Sequence, residues 1–95
     1  MILELAILDV KPGREADFQK AFNKAKKIIM GMPGYISHEL KRCIEKPCRF
    51  VLLVNWERLE DHTIGFRESV EYQEWRRLLH HFYHPFPELE HYSDI

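Results

Sequence analysis

The chain has 95 residues, 45% of them apolar and 31% charged, the balance of one soluble domain with one modest core. A formal net charge of −1 supplies no field to draw in nucleic acid or an anionic membrane. No stretch approaches the ~20 apolar residues of a membrane span. The opening "MILELAILDV" lacks the basic start and small-residue cleavage site of a signal peptide, so the reading is a cytoplasmic protein with no nucleic-acid or membrane partner.

Residues 2–10 form an apolar run, interrupted by Glu4 and Asp9 and ended by Lys11-Pro12-Gly13. Alternate positions put Leu3, Leu5 and Ile7 on one face and Ile2, Ala6, Leu8 and Val10 on the other. A strand apolar on both sides is predicted to be covered on both sides. From Arg14 to Met30, Phe18, Ala21, Phe22, Ala25, Ile28 and Ile29 follow helical spacing, which predicts an amphipathic helix started by Pro12-Gly13. Gly31, Pro33 and Gly34 break it. The basic patch from Lys24 to Lys27 is the outer face of that helix.

Tyr35 to Cys43 alternates loosely and carries Ser37, His38, Glu39 and Lys41, which suits an edge strand. From Cys48 to Glu57, Phe50, Leu52, Val54 and Trp56 share one face, and Val51 and Leu53 take much of the other. That pattern predicts a central strand. Cys43 and Cys48 flank a hairpin loop. They can face each other in a disulfide, but reduced thiols fit a chain without an export signal better.

A second helical region follows in two pieces. Leu59, His62, Thr63 and Phe66 share one face of the first, and Ser69 is the expected N-cap of the second. Trp75, Leu78, Leu79 and Phe82 repeat the helical pattern until Pro85 and Pro87 end it. Glu88 to Ser93 is the last strand.

The order β-α-β-β-α-β, with the apolar strands first and third, predicts an α+β ferredoxin-like fold. It consists of one domain over residues 1–95 with a four-stranded antiparallel sheet. Two helices cover only one face of such a sheet. The apolar residues left on the other face predict a homodimer packed sheet against sheet.

The runs "GYISHEL", "RFVLLVNWE", "EDHTIGFRES" and "YQEW" resemble the antibiotic biosynthesis monooxygenase family across nearly the whole chain. The resemblance implies a dimeric α+β barrel with a pocket between the helices and the sheet. Some members oxidise electron-rich aromatic substrates with molecular oxygen and use no metal, flavin or haem; others degrade haem. It therefore implies a cofactor-independent monooxygenase acting on a small aromatic or polyketide-like substrate. The alternatives are a non-catalytic dimeric small-ligand-binding or stress-related protein of the same fold, or isomerase or decarboxylase chemistry in the same pocket.

Triplet oxygen reacts slowly with closed-shell molecules, so a cofactor-free oxygenase needs a proton acceptor, a stabiliser for the substrate anion and a dry pocket. His62, with an ordinary pKa near ~6.5, is the candidate acid/base. Trp56 is expected at the pocket mouth as a flat wall with one N–H donor. The resemblance maps Arg76 to the anion clamp, with Arg67 its rival. Leu52, Phe66, Arg67, Tyr72 and Trp75 complete the candidate substrate site. Each also has a plainer structural reading: a hydrogen-bonded core histidine, core aromatics, solvated arginines.

Quinone-forming members carry an asparagine four residues before the tryptophan, where this chain has Leu52. Asn55, beside Trp56, turns to the opposite face. Haem-degrading members use an asparagine in the first strand, and this strand has none. His80 and His84 have the spacing of a metal pair but no evident third ligand, so no metal is assigned.

Overall fold

The computed structural model describes residues 1–95. The strands are β1 (Ile2–Asp9), β2 (Tyr35–Arg42), β3 (Arg49–Trp56) and β4 (Glu88–Ser93), and the α-helices are α1 (Glu15–Met30) and α2 (Val70–Leu79). Between β3 and α2 lies a π-helical turn, Asp61–Phe66. A 3-10 turn, His80–Phe82, follows α2. The antiparallel sheet has the order β2-β3-β1-β4, which places the two apolar strands in the centre as their patterns require. No helix is long and apolar enough to cross a membrane.

Strand parity decides which side chains meet the helices. Ala6, Leu8 and Val10 from the β1 segment and Phe50, Leu52, Val54 and Trp56 from β3 are buried beneath Phe18, Phe22, Ala25 and Ile29 of α1 and Trp75 and Leu79 of α2. Glu4 shares that parity and is buried with them, at 5% exposure. The opposite face carries Leu3, Leu5, Ile7, Val51 and Leu53, all partly exposed.

Ser69 caps α2 as expected, its Oγ accepting the backbone N–H of Tyr72 at 3.1 Å. The preceding turn departs from the expected α-helical count. Arg67 N–H donates to the His62 carbonyl, five residues back, at 3.1 Å, and the wider winding changes which residues share a face. His62 and Phe66 still point inward, whereas Leu59, expected beside them, is 39% exposed, and Thr63 is exposed too.

Gly34 holds this turn against the sheet. Its φ is +84°, and a Cβ there would lie 2.2 Å from the Asp61 carboxyl. That carboxyl accepts the Arg58 backbone N–H at 3.0 Å, which ties the start of the turn to the end of β3. Cys43 and Cys48 are both free thiols. The Cys48 thiol donates to Glu15 at 3.2 Å rather than meeting its hairpin neighbour.

Candidate functional site

A cavity lies between α2, the π-helical turn and the inner face of β1, β3 and β4. Its walls are mainly apolar: Leu52 of β3, Phe66, Tyr72, Trp75 and Leu79 on the helical side, and Phe86, Pro87 and Leu89 at the outer end. Its polar groups are Glu4, His62, Arg67, His80 and Tyr83. Free volume is about 40 Å3, room for a few water molecules. A ring-sized ligand therefore has to displace a wall. Phe86, exposed and edge-on to His80 at 5.5 Å between ring centroids, lines the outer end of the cavity.

The structure brings all five expected substrate-site residues, Leu52, Phe66, Arg67, Tyr72 and Trp75, to this one cavity. Phe66 forms its aromatic corner, edge-on to Tyr72 at 5.2 Å and to Trp75 at 5.6 Å between ring centroids.

Of the three residues expected to carry chemistry, His62 faces the cavity as expected, while Trp56 and Arg76 lie outside its wall. Trp56 is wholly buried and is not part of the cavity wall. It stands behind His62, stacked on the imidazole at 5.6 Å and 19° between planes. The reason is its position at the inward-facing end of β3, where the π-helical turn folds over it. Arg76 is exposed and outside the cavity, because it follows Trp75 on α2 and one residue along a helix turns about 100°. Arg67, at the end of the π-helical turn, is the arginine that borders the cavity.

His62 does face the cavity, at 3% exposure, but it is not a neutral-pH acid. Burial, then the nearby Arg67 charge and His91, push its pKa down to about 3. The imidazole is neutral through the physiological range.

The group that titrates near neutrality is Glu4. Burial raises its carboxyl from 4.5 to about 7. The Trp56 indole N–H, donating to Glu4 Oε1 at 3.0 Å, and the Arg67 charge pull the other way but are outweighed. The indole reaches it because Glu4 pairs with Val54 and Ile2 with Trp56, making Trp56 a diagonal neighbour on the same face. His62 Nε2 lies 3.4 Å from the same oxygen. With a neutral imidazole this is a polar contact, not an ion pair.

His62 Nδ1 is 2.8 Å from His91 Nε2, on the edge strand directly opposite Glu4 in register. Glu4 and His91 were absent from the expected site. Both sit on helix-facing positions of their strands, so parity alone could have found them.

The profile of the family described as antibiotic biosynthesis monooxygenase matches residues 1–78. The chain is 55% identical to the Bacillus subtilis (strain 168) "Uncharacterized protein YczJ", over the full length of both. It superposes on a Bordetella bronchiseptica crystal structure assigned to the same monooxygenase family with a TM-score of 0.95 and 37% identity, covering 99% of this chain and 96% of that one. It also superposes on SnoaB, a cofactor-independent oxygenase from Streptomyces nogalater, with a TM-score of 0.85 over 99% of this chain and 92% of that one. Identity to SnoaB is 16%, so that likeness speaks for the fold alone. The profile match, the full-length relatives and the β-α-β-β-α-β sheet agree: this chain belongs to the antibiotic biosynthesis monooxygenase family.

Proposed function

We propose that the protein is a cofactor-independent monooxygenase acting on a small aromatic or polyketide-like substrate that bears an acidic hydroxyl. The observation that carries this reading is Glu4, a carboxyl raised to about 7 in an apolar cavity. A base with that pKa can take a phenolic proton at neutral pH and return it later. The phenolate then has the electron density to reduce dioxygen. Arg67, whose charge already acts on Glu4, His62, His80 and His91, stabilises the anion. Leu52, Phe66, Tyr72 and Trp75 hold the ring, and Trp56 positions Glu4 and His62. SnoaB, named as a cofactor-independent oxygenase, offers a precedent for such chemistry on this fold.

Oxygen uptake against a panel of dihydroxy- and polycyclic aromatics tests the reading. Uptake by the wild type is expected to fall roughly a hundredfold in Arg67→Met and to change little in Arg76→Met. Equal losses in the two variants would remove Arg67 from the site.

A second reading, a small-ligand-binding protein without turnover, draws support from Leu52. It places a hydrocarbon wall where quinone-forming relatives of the family carry an amide. Ligand binding by calorimetry without oxygen uptake would establish it instead.

The working unit we propose is a homodimer. Leu3, Leu5, Ile7, Val51 and Leu53 form a partly exposed apolar stripe on the helix-free face, the kind of surface that a second copy covers. Leu5 and Leu53 are register partners at its middle. Light scattering is expected to give twice the chain mass for the wild type and the chain mass for Leu53→Glu. A monomeric wild type at micromolar concentration would exclude the dimer.

A further inference from the structure

We infer that Glu4, His62 and His91 form a proton path from the cavity to the edge of the sheet. The inference deepens the proposed reaction, because it rests on Glu4 as the group that takes the substrate proton.

The three groups follow one another as a chain of contacts. Glu4 Oε1 is 3.4 Å from His62 Nε2, and His62 Nδ1 is 2.8 Å from His91 Nε2. The two outer ends are open. Glu4 Oε2 has no hydrogen-bond partner in the protein, yet no buried side-chain oxygen or nitrogen is left unpaired; this oxygen therefore opens onto the cavity. The same argument places His91 Nδ1 at solvent, on a residue only partly buried.

A neutral imidazole passes a proton by accepting at one nitrogen and releasing from the other. A proton taken at the cavity-facing oxygen joins the path when the carboxyl turns about its Cγ–Cδ bond and brings that O–H to the His62 side. There it faces a bare His62 Nε2, and His62 Nδ1–H donates to His91 Nε2. Transfer moves the Glu4 proton to His62 Nε2, the Nδ1 proton to His91 Nε2, and the His91 Nδ1 proton to water. One proton enters, one leaves, and no histidine stays charged. The ionised carboxylate then accepts from both Trp56 and His62. A histidine too desolvated to hold a charge is thereby suited to conduct one.

The electrostatic surroundings of the path are few. The end of β3 faces it with Trp56, the residue after the π-helical turn with Arg67, α2 with Tyr72, and the 3-10 turn and the residue after it with His80 and Tyr83. α1 contributes only the apolar Ile29 to this wall. No second carboxylate lies on the cavity wall to compete for the proton.

Ring-nitrogen NMR on histidine-labelled protein tests the path without any substrate. Between about pH 5.5 and about pH 9, His62 is expected to stay neutral while its proton moves from Nδ1 to Nε2 as Glu4 ionises. His91 should change tautomer in step. In Glu4→Gln, whose amide oxygen can still accept the Trp56 N–H and faces His62 Nε2 only as an acceptor, the exchange should vanish and His62 should keep its proton on Nε2 across the range. One fixed His62 tautomer across the range in the wild type, or a cationic His62, would overturn the path.

Where a substrate supports turnover, His91→Leu should lower kcat about a hundredfold with KM nearly unchanged, and added imidazole should restore it. Turnover without the tautomer exchange would sink the path and leave the oxygenase reading standing. Exchange without turnover on any substrate would do the reverse.

Discussion

Glu4→Gln is expected to stabilise the folded protein by about 3 kcal/mol above pH 7 while abolishing turnover. In the wild type the folded pKa of Glu4 is raised from 4.5 to about 7. Its contribution to stability is therefore fully present below about pH 4.5 and lost as pH rises through about 7. A shift of that size corresponds to about 3 kcal/mol. His62 runs the opposite way. Its folded pKa is depressed from 6.5 to about 3, so its contribution is present above about pH 6.5 and lost as pH falls through about 3.

Between pH 4.5 and 6.5 the unfolded chain has gained a proton at His62 and given one up at Glu4, and the two slopes cancel. The wild type should therefore hold its stability across that window, apart from its other ionisable groups. Glu4→Gln removes one of the opposing terms and should weaken steadily on acidification from about pH 6.5. Urea unfolding of both proteins over this range measures the difference. Parallel profiles would show that Glu4 is not held in the perturbed state that its proposed role requires.

Gly34→Ala should cost about 3 kcal/mol, far more than its distance from the cavity suggests. Two penalties combine. An alanine at φ +84° is strained by ~1–3 kcal/mol, and its Cβ would sit 2.2 Å from the Asp61 carboxyl. Moving Asp61 breaks its bond to the Arg58 N–H, worth about 1 kcal/mol, and shifts the residue preceding His62. The stacked contact between His62 and Trp56 should loosen with it. The expected readings are a lower urea midpoint and an altered near-ultraviolet signal from Trp56. A near-neutral effect would mean that the turn adapts freely and does not fix the imidazole.

The architecture was legible because it depends on periodicity. Alternation in β1 and β3, helical spacing in α1 and α2, and the Ser69 cap each specify their element locally, and the order of elements permits few arrangements. The cavity wall was legible for the same reason, since Leu52, Phe66, Tyr72 and Trp75 all sit on inward phases. The chemistry was harder to read. Glu4 looked like a break in an apolar run, although its parity with Ala6 and Leu8 marked it as buried. The π-helical winding, which no spacing announced, sets Leu59 off the face that His62 and Phe66 share, and Arg76, one residue past Trp75, falls on the outer side of α2 while Arg67 borders the cavity. The His62 pKa depends on its burial and on the Arg67 and His91 charges, and its ring neighbours Glu4, Trp56, Phe66 and His91 come from separate elements, so it is a property of the assembled fold.

The tightness of the cavity sets an order of events for any reaction of the proposed kind. Dioxygen is small and apolar enough to occupy the resting interior as it stands. An aromatic ring is larger than the free space of about 40 Å3 and enters only as the wall around it shifts. Gas access is then governed by solubility and ring access by chain motion, so the slower arrival belongs to the larger reactant. Seating the ring also expels the water that would otherwise solvate the new anion.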